Sequence, residues 1–130
     1  MAKLVVKKTS APQETGDDFL KNTLRVADLA AGIKAKNIKA YDVRGVTLLA
    51  DSFVVCTVTS EPQFRAVMNA VLDGMREIGI KPLHIEGEGK GGWSILDYGT
   101  VIVHIFREEA RTFYDLEGFW GDAPEIPLEL

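Results

Sequence analysis

One hundred and thirty residues, 46% of them apolar and 26% charged, are enough for one domain with its own core and match the ordinary balance of a soluble globular chain. The net charge of −4, from 15 Lys plus Arg against 19 Asp plus Glu, argues against autonomous nucleic-acid binding, which draws its affinity from neutralising phosphates, and favours a basic protein partner. No apolar run reaches the ~18 residues of a membrane span, the N-terminus lacks a secretory signal, and the lone Cys56 excludes an internal disulfide, so the expectation is a cytoplasmic protein with no membrane contact.

Residues 1–16 mix Lys, Thr, Ser, Pro and Gly without periodicity and read as a loose tail. Asp17 or Asp18 then caps a helix expected to run to about Lys36, with Leu20, Leu24, Ala27 and Ala31 at helical spacing. A short strand from Ile38 to Val43 ends in an Arg44-Gly45 turn. Ser52 to Val58 is a second strand, so apolar throughout that it belongs in the middle of a sheet. Ser60-Glu61-Pro62-Gln63 carries the spacing of a capping box with proline in the first turn. Phe64, Val67, Met68, Val71, Leu72 and Met75 continue that helix, and Gly79 stops it. A third strand covers Leu83 to Glu86, and Trp93–Asp97 with Val101–Phe106 makes a hairpin. Arg107 to Glu117 is a third helix, and the end from Asp122 to Pro127 reads as irregular. The order predicts an α+β domain over residues 17–118, a mixed sheet of about five strands with helices packed on it, followed by a tail over 119–130.

The residues that carry chemistry are few. Gly87, Gly89, Gly91 and Gly92 surround Lys90, but the run opens onto a strand, whereas a phosphate cradle needs a helix N-terminus, and no Ser or Thr follows the lysine. Cys56, His84 and His104 are the only thiol and imidazoles in the chain, and no metal-ligand spacing links them. Asp42, Asp51 and Asp97 sit at strand ends, where a metal-dependent nucleotidyl-transfer site would be built, yet none has a second acid beside it. A Ser94–His104–Asp97 triad lacks a nucleophile elbow. No catalytic residue, cofactor or metal site is expected. What remains is the hairpin itself. Along a strand Trp93, Ile95 and Asp97 share one face, and Ser94, Leu96 and Tyr98 share the other. A Trp on such a face is either core or a binding anchor.

Taken together, an ordered series of motifs resembles the ribosomal silencing factor (RsfS, or Iojap-like) family. It runs Asp42-Val43, Asp51-x-Phe53-Val54-Val55-x-Thr57-x-x-Ser60-x-x-Gln63, Glu86-Gly87, Trp93, Asp97-x-Gly99 and Val101-x-Val103-His104-x-Phe106, and closes with Arg111-x-x-Tyr114-x-Leu116-Glu117-x-x-Trp120-x-Asp122-Ala123. The resemblance implies a nucleotidyltransferase-like fold without the catalytic acids, and a non-enzymatic protein. It implies binding to a ribosomal protein, number fourteen, on the intersubunit face of the large ribosomal subunit. Docked there, such a factor blocks joining of the small subunit and represses translation under nutrient limitation; relatives also assist large-subunit assembly, and several form homodimers. By similarity the docking face is the hairpin at Trp93, Ile95, Leu96, Asp97 and Tyr98, with His104 and Arg111 as neighbours or supports. The alternatives from the residues alone are a metal-dependent nucleotidyltransferase using Asp51 and Asp97, or a self-associating scaffold.

Overall fold

In the computed structural model, residues 16–87, 90–114 and 123–130 are described. The elements in chain order are helix α1 (Gly16–Gly32), strands β1 (Lys36–Asp42) and β2 (Ser52–Val58), helix α2 (Glu61–Glu77), strands β3 (His84–Glu86), β4 (Trp93–Asp97) and β5 (Val101–Arg107), and helix α3 (Glu108–Tyr114). The sheet order is β1-β2-β5-β4-β3. β2 and β5 run parallel at its centre, and the β1–β2, β4–β5 and β3–β4 pairs are antiparallel. β2 is buried at all seven positions, as its unbroken apolar composition requires of a strand covered on both faces. The mixed five-stranded α+β sheet is the expected one.

Two helices cover one face. Phe19, Val26 and Ala30 of α1, with Phe64, Val67, Val71 and Met75 of α2, pack on Val54, Cys56, Val58, Leu96, Val103 and Ile105. Each Val, Leu, Ile, Phe or Met among them contributes roughly 1.5–3 kcal/mol when fully buried, so this layer holds the domain together. The alternate strand residues make the other face. Phe53 and Ile102 pack there with Val43, Ala50 and Ala123, while Val55 and Phe106 pack with Ala110 of α3.

The helix ends follow the expected chemistry in part: α1 is already helical at Gly16, so Asp17 and Asp18 lie inside it rather than cap it. At the start of α2 the Gln63 N–H donates to Ser60 Oγ at 3.2 Å, but the Gln63 carboxamide accepts from the N–H of Thr59, one residue before the serine. Its amide nitrogen meanwhile donates to the carbonyls of Ile33 and Lys34, tying α2 to the end of α1. α2 stops as read, with Gly79 at φ 81° and the Ile80 N–H returning to the Met75 carbonyl at 3.0 Å. α1 ends at Gly32, four residues short of the expected Lys36. The reason is the same terminating motif built on Lys34, which takes φ 65° while the Ala35 N–H bonds the Ala30 carbonyl at 3.2 Å. A lysine at that position gives no sequence warning.

The C-terminal end is irregular apart from one bridge between Glu125 and Tyr41, but it is not loose. The Asp42 N–H donates to the Pro124 carbonyl and the Ile126 N–H to the Ala40 carbonyl, at 2.8 and 2.7 Å. Ile126 is buried with the helix-side core, and the outer edge of β1 is thereby covered. Of the expected tail at 1–16, Gly16 belongs to α1; residues 1–15, Glu88 and Gly89 of the glycine run, and the stretch 115–122 lie outside the described residues.

Candidate protein-docking face

β4 resolves which half of the hairpin faces outward. Its burial alternates, with Ser94 and Leu96 buried and Trp93, Ile95 and Asp97 half-buried. Two residues expected in the docking face therefore leave it. Leu96 is 0% exposed and Tyr98 8%, both in the cluster beneath α1 and α2. The cause is the two-residue period of a strand: once the helices claim one face, every second side chain goes with it. Trp93, Ile95 and Asp97 remain, on the face opposite α1 and α2.

That face has a firm bed. Across the β4–β5 pair Trp93 lies opposite Phe106 and Ile95 opposite His104. The indole stacks on Phe106 with ring centroids 5.1 Å apart and an interplanar angle of 22°. His104 meets the ring of Phe53 edge-on at 5.1 Å, and Trp93 Nε1–H donates to His104 Nδ1 in a long bond of 3.4 Å. Accepting at Nδ1 assigns the proton of the neutral imidazole to Nε2. His104 is 6% exposed, so it acts as the floor under Trp93 and Ile95 and offers a partner little surface.

Burial pushes the His104 pKa down from 6.5 to about 4. Below pH 6.5 the unfolded chain therefore takes up a proton that the folded chain refuses, and stability falls as pH drops toward 4. Denaturant unfolding at pH 7 and pH 4.5 is expected to show the wild type losing roughly 2–3 kcal/mol more than His104→Gln over that interval. Equal losses in the two proteins would place the imidazole in water.

Arg111 is committed within the domain. Its Nη1 donates to the carbonyl of Asn37 at 2.9 Å and to Thr57 Oγ1 at 2.6 Å. Asn37 has φ 50°, and the β1–β2 register shifts between Lys36 and Lys39, so the guanidinium clamps a β-bulge from across the sheet. Arg111, expected as a neighbour or support of the hairpin, is placed by these bonds on the β1–β2 pair. Asp97 keeps its place on the face while its Oδ1 accepts the Gly99 N–H at 2.8 Å, closing the turn between β4 and β5.

The Ser94–His104–Asp97 triad and a site joining Cys56 to the imidazoles lose their geometry. Cys56 faces the helix side and its thiol is pushed up to about 12 by burial, whereas His104 faces the other way. His84 is exposed on the edge strand and bonds Glu86 at 2.8 Å. Ser94 and His104 lie on opposite faces, so the sketched triad cannot assemble. Asp42 is held by Arg44 through bonds of 2.9 and 2.7 Å, which keep its carboxyl below the usual range. Among the described residues no group of three potential ligands is placed to hold a metal. The glycine run meets β4 through a single 3₁₀ turn, Lys90–Gly92, and no helix follows it to receive a phosphate.

Sequence reasoning missed the clamp partners Asn37 and Thr57, which are remote from Arg111 along the chain and carry no local signal. It also passed over Val46, Leu48 and Leu49, which are 44%, 54% and 67% exposed between β1 and β2; three aliphatic residues in four positions outside any periodic element were the available cue.

Residues 17–130 match the family model described as "Ribosomal silencing factor during starvation" (RsfS). The ribosomal silencing factor RsfS of Halalkalibacterium halodurans is 38% identical over 96 residues, which are 74% of this chain and 82% of that one. Its counterpart in Bacillus subtilis is 37% identical over 110 residues, 84% of this chain and 93% of that one. A crystal structure of a protein from Chromobacterium violaceum is similar with a TM-score of 0.77 at 28% identity, covering 86% of this chain and 92% of the other.

Proposed function

The chain belongs to the ribosomal silencing factor family, and from that membership we propose that it represses translation by binding the large ribosomal subunit and keeping the small subunit from joining. The contact is with the ribosomal protein numbered fourteen on the intersubunit face, made in the cytoplasm under nutrient limitation, with a second role in large-subunit assembly. The observation that carries this reading is Trp93, half-buried on a sheet face and stacked on Phe106. A large aromatic pre-ordered on a rigid bed loses little entropy on binding, which is the property of an interface anchor. The acidic net charge of −4 suits association with basic ribosomal proteins through steering. Occupying the joining surface is the whole mechanism, and no bond is made or broken.

Co-sedimentation with purified subunits tests the reading. The protein is expected in the large-subunit fraction and not in the small-subunit fraction; its absence from both would refute the proposal. The enzymatic alternative has its own test. ATP, GTP or CTP with magnesium is expected to leave the melting temperature unchanged, whereas a true ligand at 100 times its Kd adds about 2.7 kcal/mol.

A further inference from the structure

The sheet face is too small to be the whole contact. A specific interface covers about 800 Å² on each partner, and half-buried Trp93 and Ile95 supply only a minor part of that. The surface must continue. At the Trp93 end Ala110 of α3 closes over Phe106 and Val55. At the other end of the sheet, across β5 from Asp97, stands the loop between β1 and β2, with Val46, Leu48 and Leu49 all exposed.

This loop is rooted in the same face. Val43 and Ala50, which bracket it, are 0% and 3% exposed and share a cluster with Phe53 and Ile102, against which Ile95 packs. The N–H groups of Asp51 and Ser52 donate to the Thr100 carbonyl at 2.8 and 3.0 Å, joining the end of the loop to the β4–β5 turn. Its shape is set internally as well. The N–H groups of Val46 and Thr47 both donate to the Val43 carbonyl at 3.0 Å, and the Leu49 N–H donates to Thr47 Oγ1 at 3.1 Å. Arg44 is held by Asp42 and lies over the Phe19 ring at 4.5 Å. The aliphatic side chains are thus presented on an ordered turn, so little ordering cost accompanies their burial by a partner. In water they forgo roughly 25 cal/mol for each Å² left exposed.

Resting on the reading above that this face docks a large-subunit protein, we propose that the Val46–Leu49 loop is a second anchor of the same contact, seated on an apolar patch of the same protein partner. Trp93 and the loop then grip from opposite ends of the sheet. They are separated along the strands by about the length of β4, a five-residue strand of ~17 Å at ~3.4 Å per residue, and sideways by the intervening β5. That span suits one interface of ordinary size. Leu83 supplies the contrast: it is 71% exposed but lies beside Asn22 of α1 and Met75 of α2, on the helix side of the sheet.

The test measures binding of the full chain to purified large subunits for the wild type, Trp93→Ala, Leu48→Ser/Leu49→Ser, the single Leu49→Ser, and Leu83→Ser. The double variant is expected to bind at least 10-fold more weakly, the single variant to fall between, and Leu83→Ser to stay within twofold, with melting temperatures unchanged for all three serine variants. If the double variant binds like the wild type while Trp93→Ala is weakened, the loop anchor is refuted and the docking function stands. If the wild type itself fails to bind, both fall. An equal loss in Leu83→Ser would overturn the proposal by showing general apolar adhesion. So would a wild-type dimer that the double variant dissociates without changing subunit affinity, since the loop would then serve self-association.

Discussion

Trp93→Ala is expected to weaken large-subunit binding by roughly 30-fold or more, the ~2 kcal/mol or greater that marks an interface anchor. Its partly exposed indole is the largest side chain on the outward face of β4, and the stack on Phe106 at 5.1 Å fixes its orientation before any partner arrives. The same stack carries a stability cost. Truncating a fully buried Trp costs about 3–5 kcal/mol, so for a half-buried one a loss of about 2 kcal/mol is expected with the fold retained. Trp93→Phe separates the two effects. It keeps a ring on Phe106 and so recovers most of the stability, but it loses the indole area and the Nε1–H bond to His104, and so recovers only part of the affinity. Isothermal titration alongside chemical denaturation reads both quantities. Unchanged affinity in a folded Trp93→Ala protein would return Trp93 to a purely structural role.

Gly87→Ala is expected to cost at least 2–3 kcal/mol, more than most single surface substitutions. Gly87 has φ 88°, and a Cβ built there would overlap the Trp93 carbonyl oxygen and stand 3.2 Å from Ser94 Cα. Both obstacles are backbone, so no rotamer change relieves them, and β4 itself would have to shift. Gly91→Ala is the matched control. It also has positive φ, at 73°, but nothing lies within 4 Å of its built Cβ, so only the left-handed penalty of about 1–2 kcal/mol applies. Thermal melts of the pair isolate the steric part, and equal destabilisation would remove the close approach from the account. Because the obstruction lies at Trp93, Gly87→Ala should also weaken subunit binding more than Gly91→Ala does.

These two substitutions show what the sequence made legible. That the glycine run leads into a strand was legible. What Gly87 does there was invisible, because the backbone it approaches lies six residues on and is brought near by β3–β4 pairing. β2, the capped start of α2 and its stop at Gly79 were all readable because each signal is local. The end of α1 was not, since Lys34 adopts a conformation usually given to glycine. Likewise the alternation in β4 was legible from Trp93 to Tyr98, but which face it buries depended on where α1 and α2 settle. That long-range fact buried Leu96 and Tyr98 on the helix side and took them out of the proposed docking face. What Arg111 supports was hidden for the same reason, because Asn37 and Thr57 meet it only in the folded sheet.

Light scattering of purified small and large subunits, mixed after the large subunit has been saturated with this protein, asks whether occupancy alone prevents joining. The fraction of joined ribosomes is expected to fall in proportion to occupancy and to recover with Trp93→Ala at the same protein concentration. Full occupancy of the large subunit with undiminished joining would contradict the proposed mechanism.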